Sequence, residues 1–353
     1  MCRGYRNLID RELETPSTGV ALLGANAQGK TNLLEAIYYP VLFRSFRGSS
    51  DQQVMGAESG GFHVEVQVEG AAAQSVATTY SGRKKRITVD GEEIGRLAEV
   101  VGTWLGVTFL PADLGLASGA ALERRRYLDR LLSLASRQYL RALTQYRAAL
   151  AQRNSALRQG KTDVARAFDN VLAVPGAALV RFRQEWAVGA AEQFAAEFDC
   201  LGEPGRARLQ YRGNAELTDP EAWVQALATA SAEDRARGMT TVGPHRDDLV
   251  LDVGGRRLRE YGSTGQQRSA AVALKLLEIS TLRQARGTEP VLLLDDVFAE
   301  LDRERQSRLA LRLLGPEERQ VFVTSPRTDE LPTNLDLPVW IVDDGRIRKS
   351  SSS

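Results

Sequence analysis

An α/β fold carrying an inserted helical lobe is what this sequence predicts, and three observations predict it. The apolar run Gly19-Val20-Ala21-Leu22-Leu23 feeds a glycine-bounded loop, Gly24-Ala25-Asn26-Ala27-Gln28-Gly29-Lys30-Thr31, that opens the segment Asn32-Leu33-Leu34-Glu35-Ala36-Ile37. A second apolar strand, Pro290-Val291-Leu292-Leu293-Leu294, is closed by Asp295-Asp296. Between these two, residues 119 to 168 read as helix and hold eleven Arg/Lys against three Asp/Glu.

The first stretch reads strand, loop, helix, and in that context the pattern G-x-x-x-x-G-K-[ST] is a phosphate-binding P-loop. The glycines Gly24 and Gly29 let backbone N–H groups curl around a polyphosphate, with Ala25, Ala27 and Gln28 supplying backbone between them. The new helix turns its positive end toward the charge. Lys30 reaches the β- and γ-phosphates, the Thr31 hydroxyl coordinates Mg²⁺, Asn26 is a γ-phosphate or water ligand, and Asn32 follows on the first helical turn. A nucleotide such as ATP, with Mg²⁺, is the expected ligand.

Length and composition set the frame. A chain of 353 residues predicts two domains, one inserted in the other. Hydrophobic content of 43% and charged content of 26% are ordinary for a globular protein, and the net charge of +1 argues neither for nor against nucleic acid. No apolar run approaches the roughly 20 residues of a membrane span, and Met1-Cys2-Arg3-Gly4-Tyr5-Arg6 is no signal peptide, so a cytoplasmic chain without a membrane partner is expected. Cys2 and Cys200 stand in no metal spacing and imply neither a disulfide framework nor a zinc site.

Along the chain, residues 1 to 23 read as first strands, with Thr15-Pro16-Ser17-Thr18-Gly19 as the turn. Asn32 to Tyr39 is helical and Pro40 is expected to stop it. From Phe62, alternation places Phe62, Val64, Val66 and Val68 on one face and His63, Glu65, Gln67 and Glu69 on the other, a half-buried strand. Short strands follow at Ser75 to Tyr80 and Arg86 to Val89, with Asp90-Gly91 as a hairpin turn. After Phe109-Leu110-Pro111 the composition changes. Gly119 to Phe168 reads as long helix with one turn at Gly160, and at about 100° per residue Arg126, Arg130, Arg137 and Arg141 fall within about 60° of one another. Leu128, Leu132, Tyr139, Leu143, Tyr146 and Leu150 cluster opposite as a core face. Helix resumes over Ala177 to Phe198 and Pro220 to Arg237, with a short strand around Leu209 to Arg212. Residues 113–237 are therefore expected to form a helical arm inserted into a head made of 1–112 and 238–353. Ser350 to Ser353 is expected to fray.

Asp295 at the end of its buried strand is expected to serve the metal, and Asp296 to orient or deprotonate the attacking water. Gly262-Ser263-Thr264-Gly265-Gln266-Gln267-Arg268 precedes the helix Ser269 to Arg286. Ser263, Gly265 and Gln266 have the chemistry of a second anion-binding helix start. Two helices flanking one sheet at separated ends cannot both reach one phosphate, so a head-to-tail pair of chains is expected, each donating this helix start to the γ-phosphate bound by the other. Phe298-Ala299-Glu300-Leu301-Asp302 adds an acidic loop toward such an interface.

The order of P-loop, S-x-G-Q, D-D and E-L-D resembles the ABC-type ATPase heads and, within these, the SMC-like repair ATPases of the RecF family. The narrowing residues are Tyr5-Arg6-Asn7, Phe109 to Leu114, Glu123-Arg124-Arg125-Arg126-Tyr127-Leu128-Asp129, Gly243-Pro244-His245-Arg246-Asp247-Asp248-Leu249, Ser263 to Arg268 and Leu292 to Asp302. The resemblance implies an ABC-type head with a mixed sheet and an antiparallel subdomain. It further implies an ATP-bound homodimer that clamps gapped or junction DNA, single- and double-stranded, and releases it by slow, DNA-dependent hydrolysis. RecR and RecO are the partners it implies, in assisting recombinase loading. By the family pattern Ser263 senses the partner's γ-phosphate, Asp113 sits in a Q-loop-like position near the metal, and Arg6 contacts phosphate or adenine, pairing with an acid being the equal alternative. Three departures stand out. The lead-in Met1 to Gly4 is short, which leaves the first edge strand truncated or differently started. Asp296 replaces the usual Glu. Thr324-Ser325-Pro326 stands where many heads carry a switch histidine, and a hydroxyl contacts a γ-phosphate without the same proton chemistry. The rival readings are a non-hydrolysing ATP-switched scaffold and an ABC transporter-type subunit, the latter disfavoured by the long helical insertion.

Of the remaining residues, His245 is expected in a hydrogen-bonded network rather than in catalysis, and His63 in solvent. Trp104, Trp186, Trp223 and Trp340 read as core. The arginine stripe and the hairpin residues Arg83, Lys84, Lys85 and Arg86 are the candidate DNA contacts, to phosphates rather than base edges.

Overall fold

The computed structural model describes residues 1–68, 74–203, 205–299, 302–314 and 319–350, with backbone alone at residue 215. Its strands in chain order are β1 (Cys2–Arg3), β2 (Gly19–Leu23), β3 (Phe62–Gln67), β4 (Ser75–Tyr80), β5 (Lys85–Val89), β6 (Glu92–Glu93), β7 (Gly106–Phe109), β8 (Ala207–Arg212), β9 (Asp248–Val253), β10 (Arg256–Arg257), β11 (Val291–Asp295), β12 (Val321–Ser325), β13 (Val339–Asp343) and β14 (Arg346–Lys349). Two compact units divide the chain, one of Met1–Asp113 with Glu278–Ser353 and one of Leu114–Leu277.

The first unit contains two sheets. One is six-stranded, ordered β14-β13-β2-β12-β11-β7, with β13, β2, β12, β11 and β7 parallel and β14 antiparallel at the edge. Its inner strands β2, β11 and β12 are buried along their whole length, as parallel strands covered on both faces must be. The other is the antiparallel sheet β1-β3-β4-β5-β6. Phe62 packs edge-on to Tyr5 and Tyr39, with ring centroids 5.4 and 5.2 Å away. Asp90 and Gly91 both take positive φ, the turn that the hairpin between β5 and β6 requires.

Local expectations fare unevenly in this unit. The helix after the P-loop runs Lys30–Leu42 and contains Pro40. Proline lacks the N–H that would bond one turn back, but the chain ends its helix only at Phe43, which adopts left-handed φ 54°. His63 is not simply solvated: Nδ1 lies 2.9 Å from the Thr79 hydroxyl across the β3–β4 register. Glu69 lies outside the described residues, as do Ser351–Ser353 of the expected frayed tail.

In the second unit the basic segment is not one helix. Ala121–Ala135 and Arg137–Arg158 are separate, because Ser136 turns to φ −136° and its side chain accepts the Tyr139 N–H as an N-cap. Arg126 and Arg130 therefore lie on one helix, Arg137 and Arg141 on another, and the single stripe is corrected to two short ones. The apolar face stands: Leu128, Leu132, Tyr139, Leu143 and Tyr146 are buried, with Leu150 partly so. They meet the long helix Asp169–Cys200 and Trp223, which is fully buried on Pro220–Arg237 and donates its indole N–H to Leu217 O at 2.7 Å. Trp104 and Trp340 are also core and Trp186 is partly buried. Strand β9 pairs with β8 in register Leu249↔Tyr211, which carries residues 238–277 with this unit, whereas the sequence reading groups them with the head.

The two motif blocks of this unit hold each other. Arg124 makes a bidentate pair with Asp248 at 2.8 and 2.9 Å, and Arg125 donates to Asp247 O at 2.7 Å. Arg183 is buried and donates to Asp129, Tyr139 Oη and Pro244 O. His245 sits in a network, as expected, although its partners are Tyr146 and Thr240 rather than the adjacent acids. Its Nε2 lies 2.9 Å from Thr240 O, a pure acceptor, so Nε2 carries the proton and Nδ1 accepts from Tyr146 Oη at 2.6 Å.

Burial, with Arg246 and Arg125 nearby, pushes the His245 imidazole down to about 4. The folded chain thus binds fewer protons than the unfolded chain between about pH 4 and 6.5, so stability is complete above that window and falls as pH falls through it. In denaturant unfolding of the full chain, parent stability should drop by about 2 kcal/mol more between pH 7 and pH 5 than that of His245→Gln. Parallel pH profiles would place the linkage elsewhere.

Candidate nucleotide site

The parallel register brings the chemistry to one edge of the six-stranded sheet. Leu22, Thr324 and Asp295 are neighbours across β2, β12 and β11, and Leu294 stands beside Phe109 of β7. All four strands end on the same side, where the P-loop, Asp295-Asp296, Ser325 and the turn Pro111–Leu114 emerge. Open parallel sheets bind ligands at this carboxyl edge.

At the P-loop, Gly29 takes φ 110° and caps the Lys30–Leu42 helix. A side chain there would press on Asn7 Oδ1 at 2.9 Å. Lys30 is buried and donates to Gly24 O at 2.6 Å and Ala25 O at 3.0 Å, so the loop carbonyls solvate its ammonium. Thr31 Oγ1 donates to Asp295 Oδ1 at 2.8 Å. The P-loop hydroxyl and the acid of the second strand, 264 positions apart in sequence, are thus joined directly.

Asp296 takes left-handed φ 49°, an uncommon conformation for a residue with a side chain. Burial and the neighbouring Asp295 carboxylate push its own carboxyl above the usual range, while Lys30 and the Thr324 hydroxyl pull the other way. Asp113 accepts the Leu110 N–H at 2.7 Å and closes its own turn. Arg6 forms a fork with the fully buried Glu35 at 2.9 and 3.0 Å and also donates to Ser49 Oγ and Gln53 O. The acid-paired alternative for Arg6 is therefore present, and phosphate contact would require the guanidinium to leave or share Glu35.

A clasp on the P-loop was not anticipated from the sequence. The β13–β14 turn sets the Asp344 N–H on Gln28 Oε1 at 2.7 Å and the Gly345 N–H on Gln28 O at 2.8 Å. From the other side, Asn32 Nδ2 donates to Asn7 Oδ1 at 2.7 Å, and Arg47 donates to Asn32 Oδ1 at 3.0 Å. Both ends of the chain thus hold the loop apex. A D-G turn between two short strands was the available signal, but nothing in it names Gln28 as the partner.

The helix start expected from the sequence to bind a second anion, in the other unit, is a capping box. Ser263 Oγ accepts the Gln266 N–H at 3.1 Å, and Gln266 Oε1 accepts the Ser263 N–H at 3.1 Å, at the start of Thr264–Arg286. Asp302 accepts the Arg305 N–H at 2.9 Å at the start of Arg303–Leu314. Glu300 and Leu301 lie outside the described residues.

The candidate DNA-contact residues are less free of acids than their sequence neighbourhoods suggest. Arg86 pairs with Glu93 at 3.0 Å and Lys84 lies 3.9 Å from the same carboxylate. Lys85 folds inward to Asp51 at 2.8 Å and Phe43 O at 2.7 Å. Arg83, Arg126, Arg137 and Arg141 are exposed, Arg126 pairing with Glu123 at 3.2 Å. Arg130 is half-buried over the Tyr127 ring.

Gly345 tests the clasp. It takes φ 72°, and a side chain there would collide with Asn7 O. Gly345→Ala should cost about 2 kcal/mol or more in denaturant unfolding. The equally left-handed Gly91, at φ 83° in open space, should lose only about 1 kcal/mol as alanine. Equal losses would mean that the Gly345–Asn7 approach bears no weight.

No protein-family model matches the chain. The DNA replication and repair protein RecF of Lachnoclostridium phytofermentans is 35% identical over 338 residues, 94% of this chain and 92% of that protein. The RecF of Salinibacter ruber is 35% identical over 345 residues, covering 92% and 83%. Solved structures of the recombination mediator protein RecF in the RecFOR pathway, with ATP and with ATPrS, match with TM-scores of 0.88 and 0.89 at 30% identity, over 99% of this chain and 96% of theirs. An Smc head bound to the C-winged helix domain of ScpA matches at TM-score 0.59 and 17% identity over 100% of this chain and 96% of that one, a likeness of fold alone. Among the described residues no helix is long and apolar enough to cross a membrane. The extended likeness in sequence, together with the P-loop and its paired acid at the sheet edge, makes this chain a member of the RecF family of DNA replication and repair proteins, with an ABC-type ATPase head.

Proposed function

We propose that this chain is an ATP-driven DNA clamp of recombinational repair. The observation that carries the reading is the Thr31–Asp295 hydrogen bond in a RecF-family chain, because it brings together the two halves of the proposed nucleotide–metal site. A hydroxyl and one carboxylate, completed by phosphate oxygens and water, suit Mg²⁺, which favours few protein ligands. Thr31 and Asp295 would hold the ion, which supplies neutralisation of the β- and γ-phosphate charge. Asp113, four residues beyond β7, is the remaining candidate ligand. Lys30 would exchange the Gly24 and Ala25 carbonyls for phosphate oxygens, and Asn26 and the loop N–H groups would cradle the chain of phosphates.

Two chains would close head to tail, each offering Ser263, Gly265 and Gln266 to the other's γ-phosphate. Ser263 suits this role within its capping box, since its hydroxyl accepts the Gln266 N–H and keeps its own proton for an anion. Asp296 would take a proton from the attacking water. DNA would be gripped through phosphates by Arg83, Lys84, Lys85, Arg126, Arg130, Arg137 and Arg141, those that hold protein partners exchanging them for phosphate. RecR and RecO are the proposed protein partners in recombinase loading at gapped DNA.

Light scattering with and without ATP tests the clamp. The parent should shift from monomer to dimer, Ser263→Arg should remain monomeric, and Asp296→Asn should form dimers that outlive the parent's by about tenfold or more. A parent that stays monomeric in ATP refutes the head-to-tail arrangement, and an Asp296→Asn dimer of ordinary lifetime removes Asp296 from the timing of release. Duplex DNA affinity in ATP should fall at least about a hundredfold between about 50 and 200 mM salt, the loss for four phosphate contacts, and further for each additional one. A flat salt dependence refutes phosphate gripping.

A further inference from the structure

One buried side chain sits at the centre of the candidate site without a role in the scheme above. Thr324 is 1% exposed on β12, the strand between the P-loop strand and the strand that carries the acids. Its Oγ1 accepts the Asp296 N–H at 3.0 Å, and lies 2.9 Å from Asp295 Oδ1 and 3.3 Å from Asp296 Oδ1. A hydroxyl owns a single proton, so it can donate to one carboxylate at a time. The shorter distance gives that proton to Asp295, whose Oδ1 also receives the Thr31 hydroxyl at 2.8 Å.

We infer that Thr324 is the positioning residue for Asp296, and that it couples the orientation of Asp296 to the occupancy of Asp295. Two parts of the geometry carry this. The Asp296 N–H bond to Oγ1 holds the residue in the left-handed conformation of φ 49°, which turns its carboxylate back toward the same oxygen. Non-glycine residues keep such a conformation only where their surroundings fix it. In addition, Asp295 Oδ1 collects two hydroxyl protons at once. A cation held by Thr31 and Asp295 would repel both, leaving the Thr324 O–H to rotate toward Asp296 Oδ1, which lies 3.3 Å from Oγ1. The metal ligand and the proposed base would then be set by one hydroxyl, with no heavy atom of the strand displaced.

This assignment rests on the nucleotide-hydrolysing reading and deepens it. The test is a double-mutant cycle with Thr324→Val, Thr324→Ser, Asp296→Asn and Thr324→Val/Asp296→Asn, read by steady-state hydrolysis and by binding of a fluorescent ATP analogue with Mg²⁺. Valine keeps the shape of threonine and deletes the hydroxyl. Expected for Thr324→Val is a kcat at least tenfold below the parent with analogue affinity within threefold. Thr324→Ser should return kcat to within threefold, and the double variant should be no slower than Asp296→Asn alone. The inference is overturned if Thr324→Val turns over like the parent, if its loss lies in nucleotide affinity rather than kcat, if serine fails to rescue, or if the two losses multiply. A parent that binds no nucleotide refutes the function itself and this assignment with it. A parent that turns over ATP while Thr324→Val matches it refutes this assignment alone.

Discussion

The Thr31–Asp295 hydrogen bond is the constraint on which the head depends. It ties the first turn of the P-loop helix to the end of a strand that arrives 264 residues later. The bond forms only if β2, β12 and β11 lie side by side in the observed register, so the sheet order and the site are one specification. A one-residue slip of β11 would turn Asp295 to the opposite face of the sheet, away from Thr31 and Thr324. The wholly buried strands resist such a slip because their side chains pack on both faces.

The same economy appears in how the loop is held. A P-loop is mostly backbone, with little apolar surface to fix it. Here its apex accepts two N–H groups from the Asp344-Gly345 turn through Gln28, and its helix start is roofed by Asn7 through Asn32. Segments near the two ends of the chain thus converge on eight residues near its start. Ordering the loop in advance lowers the conformational cost of binding a phosphate chain, since that cost is met on folding.

How far these features could be read from sequence depends on whether their cause is local. The P-loop, the acid-terminated strand and the Asp90-Gly91 turn are local patterns, and each folds as its pattern requires. Pro40 shows where a local rule is overridden, since the buried Tyr38, Tyr39 and Val41 hold the helix past a missing hydrogen bond. Ser136 shows the opposite, a cap residue with no proline or glycine to announce it, which breaks a continuous helical period in two. Glu93 and Asp51 could not be seen as partners of Arg86 and Lys85, because hairpin register and loop path decide which charges meet. The clasp on Gln28 was invisible for the same reason.

Motif specificity and chemical role also separate once the side chains are seen. The block Glu123 to Asp129 and the block Gly243 to Leu249 narrow the family most, yet they pair with one another through Arg124–Asp248 and Arg125–Asp247 O, and through Arg183, which donates to both Asp129 and Pro244 O. Charges buried in this way cost several kcal/mol of desolvation each, and removal of one partner leaves the other uncompensated. Each member therefore constrains the others. Arg6 and Glu35 repeat the pattern in the head. The proposed chemistry rests on a short set: Lys30 bonded to two loop carbonyls, Thr31 and Asp295 in contact, and Asp296 whose N–H is held by the Thr324 hydroxyl. Because the Lys30, Thr31 and Asp295 side chains already have protein partners, ligand binding through them would exchange hydrogen bonds with the protein. The affinity of the site is thus a difference between two satisfied states, and small changes in the partners, Thr324 among them, can tilt it.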